Sequence, residues 1–96
     1  MRPSVALERH RIAIRQAVTR HRAANARVFG SVLTGQDNDD SDLDLLVDPL
    51  PGLTLFDLGG LQIELEEMTG VPVEVLTPGD LPAKFRNQVL AEAQPI

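Results

Sequence analysis

Apolar residues return at helical spacing over the first quarter of the chain. Leu7, Ile14, Ala17 and Val18 share one side, while Arg9, Arg20 and Arg22 fall elsewhere. With Ser4 as N-cap, the pattern predicts a helix running to about Ala24. Arg27-Val28-Phe29 then reads as a short strand that ends at Gly30-Ser31, followed by one helical turn over residues 32–35 and a polar loop from Gln36 to Ser41. From Asp42 to Val47 the chain alternates weakly and then turns apolar, the pattern of a strand with one end at a site and the rest buried. Pro49, Pro51 and Gly52 break it. Thr54 with Asp57 three residues on starts a helix whose stripe is Leu55, Leu58, Leu61, Leu65 and Met68, and Gly70 with Pro72 stops it. Val73 to Leu76 is a third strand. Pro78, Gly79 and Pro82 open a last helix, packed through Phe85 and Val89 and ending before Pro95. The order predicts a small sheet covered by helices, without repeats or low-complexity segments.

With 96 residues, this is a single domain over 1–96, and with 43% hydrophobic residues it can build one thin core. The absence of cysteine excludes a disulfide framework, a thiolate zinc site and a cysteine nucleophile, and is compatible with a cytoplasmic location. The N-terminus carries charges every few residues and is no signal peptide, and no stretch is long and apolar enough to span a bilayer. No Trp, no Tyr and three Phe leave no aromatic platform for stacking bases, so direct nucleic-acid binding is not expected. The net charge of −5 is unevenly laid out: residues 1–27 carry seven Arg against Glu8, and residues 28–96 carry Lys84 and Arg86 against thirteen acids. A basic helix on an acidic body suits either a phosphate-bearing or acidic partner, or simply its own acidic surface.

The candidate chemistry converges on one end of the expected sheet. Gly30-Ser31 closes the first strand; Asp42-Leu43-Asp44 opens the second; Glu74 lies in the third, between Val73 and Val75. Positions i and i+2 of a strand share a face, so Asp42 and Asp44 project together. Such a pair needs a cation, a shared proton or water. If the third strand lies beside the second, Glu74 joins them, and an all-oxygen set on adjacent strands suits Mg²⁺. Gly30 lets backbone approach a ligand, and Ser31 adds a hydroxyl and the amides of the following turn as donors for an anion. Donors on one side and Mg²⁺ on the other would clamp a nucleoside triphosphate for in-line displacement. In that scheme Asp42 and Asp44 hold the metals, while Glu74 serves the metal nearer the attacking oxygen and helps take its proton.

Other readings fit less well. A calcium loop from Asp37 has Asp42 where Gly is required and Asp48 where Glu is required. No Gly-x-Gly-x-x-Gly follows a strand. His10 and His21, eleven residues apart, lack a third ligand for zinc.

The stretch VFGSVLTGQDNDDSDLDLLVD resembles the motif of the minimal nucleotidyltransferases, the small prokaryotic branch of the DNA-polymerase-β-like superfamily, and VPVEVLTPGDL resembles their third-strand segment. The resemblance covers about Val28 to Ala91. It implies an α+β, palm-like nucleotidyltransferase fold with a mixed sheet of about three strands, and Mg²⁺-dependent nucleotidyl transfer with two ions. It also implies the role of antitoxin to a HEPN-domain ribonuclease toxin, silenced by AMP placed on a tyrosine from ATP. Carried over by position, Gly30 and Ser31 contact the triphosphate, and Asp42, Asp44 and Glu74 are the metal ligands. Two departures stand out. Val32 and Thr34 occupy the turn where relatives often carry Arg, a charge that Arg11 and Arg15, or Lys84 and Arg86, would have to replace; and Glu74 stands where Asp is more usual. Both leave open an alternative: a catalytically weakened module that neutralises its partner by docking.

Overall fold

In a computed structural model, which describes residues 1–96, the chain runs α1 (Pro3–Arg20), β1 (Ala23–Phe29), α2 (Ser31–Thr34), β2 (Leu43–Pro49), α3 (Leu55–Thr69), β3 (Val73–Leu76), a 3-10 turn (Pro78–Asp80), α4 (Ala83–Glu92) and β4 (Gln94–Pro95). The strands form one mixed sheet in the order β3-β2-β1-β4. β1 pairs antiparallel with β2 and β4, and β2 pairs parallel with β3. The parallel pair requires a crossover, which α3 supplies. The expected α+β class is found, but the sheet has four strands rather than three. Gln94-Pro95 escaped the sequence reading because two residues carry no alternation, and Pro is tolerated there because the strand is an edge.

Strand alternation divides the sheet into two faces. Leu43, Leu45 and Val47 of β2, Val28 of β1 and Val73 and Val75 of β3 join Leu7, Ile14 and Val18 of α1 and Leu61 and Leu65 of α3 in one buried cluster. This is the main core. Leu46 is fully buried and Leu81 nearly so, yet both stand outside that cluster, because Leu46 points to the opposite face, against which the 3-10 turn lies. The face opposite the core therefore carries Phe29, Asp44 and Glu74, which occupy matching register positions on the three strands.

Several helix boundaries differ from the expectation for physical reasons. α1 starts two residues earlier than a Ser4 cap allows: Arg2 is the N-cap residue, Pro3 takes the first turn, and no side chain of the helix itself caps it. The cap comes from a distant loop. Asp37 Oδ2 accepts from Ser4 N–H at 2.9 Å, and Arg2 donates to Oδ1 at 3.1 Å. α1 ends at Arg20 rather than Ala24 because β1 begins at Ala23. Between Ala24 and Arg27 the β1–β2 register shifts at a bulge, where Asn25 has φ 54° and bonds Asp48 at 2.9 Å.

α3 begins at the expected capping box, with Thr54 and Asp57 bonded reciprocally, and stops at Gly70 in the left-handed region at φ 73°. Of its expected stripe, Leu61 and Leu65 are buried and Leu58 and Met68 half-buried, but Leu55 is 82% exposed. Leu55 is the first residue of the helix, and its side chain faces solvent there. α4 has no buried residue, and Phe85, expected to pack it, is half-exposed. What anchors α4 is Arg86, which donates to the carbonyls of Pro78 (2.9 Å), Gly79 (3.4 Å) and Leu81 (2.8 Å). No helix is long and apolar enough to cross a membrane.

Candidate active site

The site is built at the sheet end where β1 finishes and β2 and β3 start. Gly30 follows β1 directly, with φ 73° and ψ −149°, a region only glycine occupies without strain. This bend turns the chain off β1 and into α2, whose first residue is Ser31. A Cβ on Gly30 would stand 3.2 Å from Asp44 Cγ and overlap Oδ2. Gly30 therefore forms one wall of the space around the Asp44 carboxylate. Thr34 does not reach outward: its hydroxyl donates to the carbonyls of Gly30 (3.4 Å) and Ser31 (3.3 Å) within the short helix.

Asp44 sits at the centre. It is the second residue of β2, half-buried, paired across the sheet with Phe29 on one side and Glu74 on the other. Paired residues share a face, so Asp44 and Glu74 project to the same side from strands ~4.8 Å apart. Asp42 lies just before β2 and is exposed, as is Glu74 on its strand. Burial, then the Glu74 charge, then the Asp42 charge push the Asp44 carboxyl up to about 6. No salt bridge reaches any of the three.

Asp42, Asp44 and Glu74 are thus neighbours in one field, although their carboxylates do not draw together into a cluster able to hold an ion without rearranging. The chemistry of the donor set fits a hard divalent cation: oxygen ligands only, mutually repelling, with no protein cation to offset them. Gly30, lacking a Cβ, lets the Asp44 carboxylate lie directly against the backbone of the bend.

The cations that could replace the missing turn charge are held in different ways. Arg11 pairs with Glu8 on α1, and Arg15 lines the same outer surface of that helix. α1 packs on the core face of the sheet, so neither reaches the acids. Arg86 is held by three carbonyls. Lys84 makes no ion pair, and its Nζ lies 5.5 Å from the centre of the Phe85 ring. Asp37 was expected in a polar loop. It is buried, and the Ser4 N–H, with the Arg2 guanidinium behind it, holds its carboxyl below the usual carboxylate range. Its role is to fix the loop between α2 and β2 to the start of α1, a tertiary contact with no local sequence signal.

An α+β sheet that sets acids on adjacent strand ends beside a glycine-serine bend has the architecture of a nucleotidyltransferase. Residues 10–96 match the family model described as nucleotidyltransferase domain, and the chain belongs to that family of transferase enzymes. It is 36% identical over 74 residues to a Methanocaldococcus jannaschii protein named as a protein adenylyltransferase, covering 77% of this chain and 80% of that one. A solved structure described as a minimal nucleotidyltransferase superposes with a TM-score of 0.86 at 42% identity, covering 97% of this chain and 95% of the other. A chain from a crystal structure of a toxin–antitoxin with AMP-PNP superposes with a TM-score of 0.71 over 83% of this chain and 66% of that one, and at 17% identity shares the fold.

Proposed function

We infer that the protein transfers AMP from ATP to a hydroxyl, that of a tyrosine, on a partner protein, releasing pyrophosphate, with Mg²⁺ held by Asp42, Asp44 and Glu74. The observation that carries this reading is the register of Asp44 with Glu74 directly beside the Gly30 wall. When bound, Mg²⁺ would offset phosphate charge and make the attacking hydroxyl easier to deprotonate. The chain's own groups supply the rest. Gly30 gives the triphosphate backbone access, and Ser31 offers its hydroxyl and amide at the start of α2. Glu74, exposed at the outer strand of the three, accepts the proton of the incoming hydroxyl. Phosphoryl-type transfer asks little covalent chemistry of a protein and much positioning, which a 96-residue scaffold can provide.

Adenylyl transfer, rather than transfer of another nucleotide, is supported by the name of the M. jannaschii relative. A HEPN-domain ribonuclease toxin as the partner is supported by the sequence motif and by the toxin–antitoxin origin of a fold neighbour. The protein would then act as an antitoxin.

The test is incubation of the purified chain with its partner, ATP and Mg²⁺, followed by intact mass of the partner. A gain of one AMP, lost with Asp44→Asn, is the expected result. A partner that is silenced in the complex but gains no mass would replace transfer with docking alone.

A further inference from the structure

Between α2 and α4, on the same side of the sheet as Asp44, lies an open cleft of about 320 Å³. Its walls are Phe29, Gly30 and Leu33 on one side and Phe85, Gln88 and Val89 on the other. The core does not need the α4 side of this cleft: α4 buries no residue, and Phe85 is 49% exposed. A half-exposed aromatic ring facing apolar neighbours across a gap is a binding feature rather than a packing one.

We propose that this cleft is the nucleobase subsite of the enzyme, with Phe85 as the stacking residue and Gln88 as the residue that reads the edge of the base. The proposal rests on the nucleotide-transfer reading above and assigns the part of the donor that reading leaves unplaced. Five observations support it. Gly30 is shared: it walls the Asp44 carboxylate and also lines the cleft, so a ligand with phosphates at the first has its remainder at the second. The sides are also distinct. The sheet order puts Glu74 on β3 and the cleft beyond β1, with Asp44 between, so an acceptor approaching Glu74 comes from the opposite side.

The chemistry of the lining is that of a heteroaromatic ring site. Two of the three Phe, too few to stack a nucleic-acid strand but brought together here by the fold, meet the faces of a single ring with two aliphatic side chains, while the Gln88 amide offers one donor and one acceptor to a base edge that presents both. Gln88 Nε2 is held toward Glu92 Oε1 at 3.4 Å, a long bond that a better partner can replace. The volume is at the low end of small-molecule sites, ~300–1,000 Å³, sized for one nucleoside rather than a peptide segment. Finally, Lys84 brings an unpaired cation next to Phe85, so charge for the phosphates and a surface for the base come from the same turn of α4.

The experiment compares calorimetric binding of ATP, GTP and inorganic tripolyphosphate, each with Mg²⁺, to the unmodified chain and to Phe85→Ala, Gln88→Ala and Val89→Trp. These positions are exposed or half-buried on a helix without a core role, and a circular-dichroism melt checks that each variant folds. The expected result is that ATP binds more tightly than tripolyphosphate. Phe85→Ala then weakens ATP about tenfold, Val89→Trp blocks it by filling the cleft, and Gln88→Ala narrows the difference between ATP and GTP. Tripolyphosphate binding stays the same throughout. Equal binding of ATP and tripolyphosphate to the unmodified chain, or ATP binding indifferent to Phe85 and Val89, overturns the base subsite and leaves the phosphate site standing. Variants that keep ATP affinity but lose transfer to the partner would place the acceptor in the cleft and overturn it equally. Failure of the unmodified chain to bind any of the three ligands would remove the nucleotide reading itself.

Discussion

Gly30 and Asp44 are mutually dependent: the space that a side chain at residue 30 would take is already held by the Asp44 carboxylate. The same glycine has φ 73° and ψ −149°, so any substitution meets both a clash and a backbone penalty of ~1–3 kcal/mol. Gly30→Ala is expected to lower the melting temperature and to reduce nucleotide transfer by about a hundredfold or more, since the methyl group displaces a carboxylate whose placement governs catalysis. A variant that melts lower but transfers AMP at the normal rate would show that Asp44 can move without consequence.

Asp44 should make the metal-free protein less stable as pH rises from about 4 to 6 and above. Its carboxyl is raised from the usual range to about 6, chiefly by burial and then by Glu74 and Asp42. The native state therefore keeps this proton longer than the unfolded chain, and its contribution to stability falls as pH rises from about 4 to 6 and stays lost above. In EDTA at pH 7.5, Asp44→Asn is expected to melt higher than the unmodified chain, the two converging near pH 4. The same variant should be inactive. Identical melts at both pH values would mean that the acid cluster carries no repulsion.

Asp37 titrates in the opposite sense. Its folded carboxyl is held low, first by Ser4 N–H and then by Arg2, so it stabilises the fold above the unfolded value near 4 and loses that effect as pH falls below it. Asp37→Asn should lower the melting temperature at pH 7, and the gap should narrow as pH falls below the unfolded value and through the lowered folded one. A constant gap across pH would assign the effect to packing rather than charge.

The capping box of α3 and the stop at Gly70 were legible because each is a local rule: Thr54 and Asp57 lie three residues apart, and Gly70 precedes Pro72. The three strand segments that carry the site were legible for the same reason, through period two and the Gly30-Ser31 break. What sequence could not show was set by tertiary distance. Asp37 looks like any solvated loop acid until Ser4 and Arg2, more than thirty residues away, bond to it. Phe85 and Leu55 look like core residues by type and spacing, but no element covers them. The pairing of Asp44 with Glu74 depended on which strand lies beside which, and the motif spacing is silent on that.

Gly59 offers a gain. It sits inside α3 at helical geometry, and an added Cβ meets nothing within 4 Å. Gly59→Ala should stabilise the protein by about 0.5–1 kcal/mol, a rise of several degrees in melting temperature for a chain this size, with transfer activity unchanged. A lower melting point would mean that the helix is strained at this turn.

Arg86 replaces a core for α4. Removing its guanidinium leaves three carbonyls to water and the helix without an anchor, so Arg86→Ala should cost about 1–3 kcal/mol. Amide exchange in residues 83–92 should speed up well before that of β2. Arg86→Lys should rescue little, because one ammonium cannot span three acceptors. Protection of α4 that is unchanged in Arg86→Ala would point to another anchor.

The odd-numbered residues from Leu43 to Val47 hold the sheet to its helices, and Asp44, between two of them, faces the other way. A slip of one position along β2 would bury a charge and strand three hydrophobes at once, so misaligned chains are discarded by their own energetics. Quality control of the catalytic geometry is thus inherited from folding itself, and a molecule that has folded has, by that act, already aimed its chemistry.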